Sequence, residues 1–234
     1  VSEIKEKSGS FIVSFWSSIF QLLKYIALFP WVMKLWQKLL DVFNVNQKRR
    51  RDLSFLLVDT WTLGHLLLAL LGLWLLNSES SALVSAGKWI ATYGLLRTFE
   101  LVVYQVNVLL FDEYRAKKLG RDYQMRGYRR MVILLVHNYF ETVVWFACAH
   151  FLLMHWGWME LSANGLLGSL REALTLMVAF SFNGGSALNQ MGQLILLFQA
   201  AVGILMTLVM LARFISILPT PDTMDELEQD KRRS

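Results

Sequence analysis

The sequence predicts an all-α integral membrane protein with about four transmembrane helices, a re-entrant half-helix and an amphipathic N-terminal interfacial helix. Three observations predict it. Of 234 residues, 55% are hydrophobic and only 18% charged. The apolar residues come in blocks of about twenty, the length that crosses a ~30 Å hydrocarbon core. The basic residues gather in alternate gaps between those blocks, as topology signals do. One further apolar segment is too short to cross, and it stops at Asn183-Gly184-Gly185.

The net charge of +5 does not point to nucleic acid, because the basic residues lie between apolar blocks rather than in one patch. Cys148 is the only cysteine, so no disulfide can form within a chain. The opening "VSEIKEKSGSFIVSFW" lacks a small-residue cleavage site and its apolar part runs on, so no secretory signal is expected.

Taken in order, residues 11–43, "FIVSFWSSIFQLLKYIALFPWVMKLWQKLLDVF", come first. Ser14, Ser17, Ser18, Gln21, Lys24 and Tyr25, then Lys34, Gln37, Lys38 and Asp41, recur at helical spacing and form one polar stripe. Such a helix lies in the membrane interface, with Pro30 expected to break it in two. The alternative is a first span over 11–32. Spans are then expected at Leu53 to Leu76, Trp89 to Phe111, Met131 to Trp156 and Met191 to Leu218.

Lys48, Arg49, Arg50 and Arg51 precede the first of these. Arg115, Lys117, Lys118, Arg121, Arg126, Arg129 and Arg130 separate the second from the third, and "DKRRS" ends the tail. Residues 77–88 hold one Lys and 157–172 one Arg. The positive-inside rule therefore expects both termini and the 112–130 loop on the cytoplasmic side of a plasma (inner) membrane, with 77–88 and 157–190 outside. The domains are then 1–52, interfacial helices and basic linker; 53–130, two helices and basic loop; 131–218; and a short tail, 219–234. Membrane lipids are the expected surroundings. The basic loop also offers a surface to a cytoplasmic regulator, although a topology role alone explains it.

Within 157–190 stands "LREALTLMVAFSFNGG", residues 170–185. A helix from Leu170 to Phe180 covers ~16 Å at 1.5 Å per residue, about half a bilayer. Both neighbouring spans are fixed by topology, so this segment enters and leaves on the outer side. Backbone without internal hydrogen bonds cannot face lipid, so the loop after it is expected to be buried or to line water. An amphipathic loop resting on the outer leaflet is the other reading.

Outer helix, half-helix, glycine-bearing loop and inner helix over 131–218 resemble the pore module of the potassium-channel superfamily. "NYFETVVWFACAHF" is similar to its outer helix, and "GQLILLFQAAVGILMTLVMLARFIS" to its inner helix. In that family the half-helix leads into Thr-Val-Gly-Tyr-Gly-Asp. Here the corresponding residues are Ser181, Phe182, Asn183, Gly184, Gly185 and Ser186. The resemblance implies a homotetrameric cation channel, not an enzyme, with no cofactor beyond permeating monovalent cations, K⁺ or Na⁺. Gly184 stands in place of the Tyr and Asn183 in place of a Gly, so a wider or softer filter, potassium-like or weakly selective, is implied. Asn183 tolerates positive φ better than most residues. Carbonyls from Ser181 to Gly185 would line the narrowest ring.

Gly203, inside the inner helix, is a gating hinge on this reading, or a close-packing position with Ala200 and Thr207. Phe214, Ile217 and Leu218 could form a dewetting constriction or face lipid, and Arg213 is expected to snorkel. Arg97 and Glu100, at i, i+3, form an expected ion pair, with Asp59 as a further partner. One arginine is not the ladder a voltage sensor needs. His137 and Glu141, at i, i+4, read as a hydrogen-bonded or pH-sensitive pair.

Two other function classes remain open. One is a membrane-anchored adaptor acting through the basic loop. The other is an intramembrane hydrolase with Ser181 or Ser186 as nucleophile and His150 or His155 as base, although no Gly-x-Ser-x-Gly frames either serine. The four histidines show no metal-site spacing.

Overall fold

The structure, a computed structural model, describes residues 11–120, 128–162 and 165–217. Arg121, Arg126, Leu218 and the 219–234 tail lie outside the described residues, as do the side chains of Arg213 and Ile217. The chain is mostly helical: α1 (Phe11–Leu23), α2 (Leu28–Val42), α3 (Gln47–Leu76), α4 (Ser81–Val106), a π-turn (Asn107–Phe111), α5 (Asp112–Lys118), α6 (Tyr128–His155), α7 (Gly165–Ala179) and α8 (Gln190–Ile217). Two short strands, β1 (Met159–Leu161) and β2 (Gly185–Ala187), pair antiparallel and add a small extended element to a fold expected to be all-α.

Among the described residues, three helices, α3, α6 and α8, are long and apolar enough to cross a membrane, and α1 with α2 passes the same test only as a bent pair. The expected second span, 89–111, is not among them. Its helix, α4, carries Lys88, Arg97 and Glu100, which lower its hydropathy. Arg97 and Glu100 are nevertheless buried and ion-paired, so their charge is met within the protein.

The amphipathic segment is broken, but not at Pro30. The chain turns at Lys24–Ala27, where Tyr25 and Ile26 N–H bond back to the Leu22 and Leu23 carbonyls, and α1 and α2 meet at 65°. Pro30 falls in the first turn of α2, where a missing N–H costs no intrahelical bond. Pro30 therefore starts a helix instead of ending one.

α6 is the central helix, with residues 141–153 all buried. Trp145, Phe146 and Leu152 pack with Leu73 and Leu76 of α3, Ala91 of α4, Met177 of α7 and Met206 of α8. Gly94 permits the closest approach: a Cβ there would lie 2.1 Å from the Trp145 ring, so only glycine fits. By contrast α3 and α8 present rows of exposed leucine outward, among them Leu67 and Leu71, and Leu194, Leu197 and Leu208.

Candidate functional site

α7 has 15 residues, so it spans about 22 Å. It begins five residues before the expected Leu170 and is still shorter than a bilayer core. Its course is fixed by three contacts. Ser169 Oγ donates to the Ala147 carbonyl at 3.0 Å, Gln199 Nε2 to the Ala173 carbonyl at 3.0 Å, and Gly203 packs on the backbone of Met177. The pairs 173/199 and 177/203 advance by four on both helices, so α7 runs alongside α8 in the same direction. Its C-terminal end lies level with the middle of α8. The chain then returns, within 180–189, to the end where β1 and the start of α8 lie.

The return begins at Phe180, whose φ of 54° closes the helix in the left-handed region usually held by glycine. Asn183, Gly184 and Gly185 all have φ outside that region. The expected use of Asn183 for positive φ is therefore corrected: the left-handed residue is Phe180. The glycines serve space instead. A Cβ on Gly184 would lie 2.3 Å from Glu172 Cδ, and one on Gly185 2.0 Å from the Glu160 carbonyl oxygen.

Glu172 explains the first of these contacts. Its Oε2 accepts from the N–H of Gly184 at 2.8 Å and of Asn183 at 3.2 Å, and its Oε1 accepts from Arg171 Nη2 at 2.7 Å and Nε at 3.0 Å. Burial pushes the Glu172 carboxyl up. The Arg171 guanidinium and the two amides outweigh that and hold it below the usual carboxylate range. A charged carboxylate on the half-helix thus clamps the loop from behind.

The far side of the loop is held by β1. Gly185, Ser186 and Ala187 face Leu161, Glu160 and Met159, Ser162 N–H donates to the Gly184 carbonyl at 2.7 Å, and Leu188 N–H to the Trp158 carbonyl at 2.9 Å. The Gly184 carbonyl is therefore occupied, and the ladder holds Gly185 and Ser186. Among the described residues, no hydrogen bond reaches the carbonyls of Ser181, Phe182 or Asn183. Of the carbonyls from Ser181 to Gly185 expected to line the narrowest ring, the first three are without partners among the described residues, and that of Gly184 is taken by Ser162.

Behind Phe182 lies a buried polar pair. His150 meets the Phe182 ring edge-on with centroids 5.2 Å apart, and its Nε2 lies 2.8 Å from Gln199 Oε1. Because Gln199 Nε2 donates to Ala173, its oxygen faces His150, so His150 Nε2 carries the proton and Nδ1 is bare. His155 donates instead to the Leu76 carbonyl, and neither histidine bonds to Ser181 or Ser186. Among the described residues, no cluster of three His, Cys, Asp or Glu could hold a metal ion.

The other predicted residues divide. Arg97 Nη1 donates to Glu100 at 2.9 Å, and Arg97 Nε donates to Glu141 at 2.8 Å. Glu141 thus meets Arg97 and the Trp145 indole, while His137 donates to the Thr62 carbonyl at 3.2 Å. The expected His137–Glu141 pair is not made, because both side chains find partners on other helices. Nor does Asp59 join Arg97; it bonds Arg130 at 2.6 Å. Gly203 has no room for a Cβ, which would lie 2.5 Å from the Met177 oxygen. Its contacts are those of the close-packing alternative. Phe214 is half exposed near the end of α8, and Ile217 is its last residue.

Sequence reasoning missed Glu172 and Gln199. Both were visible as polar residues in apolar helices, a signal that commonly marks an intramembrane site. Compared with family models, curated proteins and solved structures, the chain matches none.

Proposed function

We propose that the chain forms a homotetrameric cation channel in a plasma (inner) membrane, with both termini cytoplasmic and the 180–186 loop lining its narrowest part. One observation carries the reading. Three successive carbonyls, Ser181 to Asn183, have no hydrogen-bond partner among the described residues, and the run is anchored at its far end, where Glu172 holds the N–H groups of Asn183 and Gly184 and β1 holds the residues after them. Carbonyls held this way can replace an ion's hydration shell without first breaking other bonds. The partially negative C-terminal end of α7 adds to their attraction for cations.

A single chain supplies one loop and cannot enclose an axis, whereas cyclic closure of four copies does. The short carbonyl run, and Gly184 in place of an aromatic residue, favour weak discrimination between K⁺ and Na⁺. The hydrolase reading gains nothing here, since His150 and His155 are engaged elsewhere. Reconstitution into planar bilayers tests the proposal. Reversal potentials under K⁺/Cl⁻ gradients should follow the cation, and K⁺/Na⁺ gradients should give a small shift. Anion preference, or no current from folded protein, would overturn it.

A further inference from the structure

A second feature lies at the opposite end of the bundle from the loop. Between the α1–α2 corner and parts of α3, α4, α6 and α8 is a cavity of about 720 Å³, within the usual ~300–1,000 Å³ of ligand sites. It sits at the end that also carries Arg115 and Arg130. Its walls are mostly apolar, with Met33, Leu134 and Val209 among them. Its floor holds Arg97 and Glu100, where one guanidinium is shared by Glu100 and Glu141, and Asp112, also in the wall, pairs with Arg115.

Lys24, Lys34 and Arg130 also line it. Arg130 is paired with Asp59. Among the described residues neither Lys24 nor Lys34 meets a carboxylate, and the Lys34 ammonium lies over the Trp31 ring, 4.7 Å from its centroid. Two uncompensated cations beside an apolar chamber complement an anion that carries hydrocarbon. The outer faces of α1 and α2, with Phe15, Trp16, Trp31 and Leu35 exposed, fit the same headgroup level of a bilayer.

We propose that this cavity binds one anionic phospholipid, an acyl chain in the chamber and the phosphate between Lys24 and Lys34. Basic pockets between membrane helices take such headgroups, and each lysine adds to the preference for negative charge. The bound lipid would join the α1–α2 corner to four helices of the bundle. This inference needs the helices to lie in a bilayer but does not depend on conduction, because its test reads lipid retention rather than current.

The full chain in mild detergent would be examined by native mass spectrometry and thermal unfolding. Probes are phosphatidylglycerol, phosphatidylcholine with the same chains, and inorganic phosphate. One phosphatidylglycerol per chain should be retained with a raised Tm, at an affinity about 10- to 30-fold above phosphatidylcholine. Phosphate alone should do nothing. Lys24→Gln with Lys34→Gln should erase the preference, and Met33→Trp, which fills the chamber, should reduce retention of both lipids. Equal retention of the two lipids by the unaltered chain would overturn the proposal. So would a Tm rise with phosphate matching that with lipid, or unchanged retention in both variants.

Discussion

Glu172 commits one carboxylate oxygen to the loop and the other to Arg171, and its chemistry sets how that loop responds to acid. Its carboxyl is held below the ordinary range, against burial, by Arg171 and the amides of Asn183 and Gly184. A carboxylate with a lowered folded-state pKa contributes stability that is complete above the unfolded value of about 4.3. That contribution is lost as pH falls through the lowered folded value. Glu172→Gln keeps the shape but gives up the charge-assisted bonds. The unaltered protein should therefore unfold at a higher temperature than the variant at pH 7. The difference should narrow only below about pH 4.3, and thermal scans across pH check it. A constant difference down to pH 2 would place the effect in packing rather than charge. The same clamp explains the glycine at 184, since any side chain there would occupy the carboxylate's position.

At the scale of elements, the Arg97 cluster joins α2, α4 and α6. Two carboxylates share one guanidinium, and the excess negative charge is met by two further donors, one on α6 itself and one on α2. The Trp145 indole donates to Glu141 at 3.2 Å, and the Phe29 N–H, an unpaired donor in the first turn of α2, donates to Glu100 at 2.6 Å. The π-turn adds a second tie to the N-terminal helices. Asn107 Nδ2 donates to the Phe20 carbonyl at 3.0 Å, and Arg115 Nη2 donates to both the Ser17 carbonyl and Asn107. Removing one partner from a buried ion pair strands the others, at about 3–5 kcal/mol. Arg97→Met should cost at least that much in unfolding free energy. The triple change Arg97→Met, Glu100→Leu, Glu141→Leu should recover most of it, as measured by unfolding in detergent. Equal losses in single and triple variants would show that shape rather than charge matters there. These elements also mark what the sequence could reveal. Apolar blocks and basic gaps located α6 and α8 to within about three residues, because hydropathy is a property of each segment alone, whereas the polar first turns of α3 and α4 were left out. The i, i+3 spacing put Arg97 beside Glu100 for the same reason. Spacing could not choose between His137 and Arg97 as the partner of Glu141, because that depends on which faces α4 and α6 turn to each other. Pro30 was misread because proline marks both the start and the interruption of a helix, and only the neighbouring turn decides which.

For the whole molecule, burial is uneven in a way that bears on assembly. α6 is enclosed, whereas α8 leaves Leu194, Leu197, Ile204, Leu208 and Leu211 exposed along most of its length. Lipid can cover such a face, and so can another copy of the chain, so exposure alone does not decide between them. The loop supplies the further argument. Among the described residues, the carbonyls of Ser181 to Asn183 have no partners, and a membrane tolerates such groups only where protein or water adjoins them. On the channel proposal, four copies around an axis would turn them inward to a shared aqueous path. The assembly in mild detergent should therefore have four times the 27.0 kDa mass of the chain, measured by light scattering corrected for bound detergent. A stable monomer would leave those carbonyls facing lipid and remove the structural reason for a pore. A tetramer that persists when the lysines of the lipid cavity are changed would show that the loop end, not the basic end, holds the four copies together.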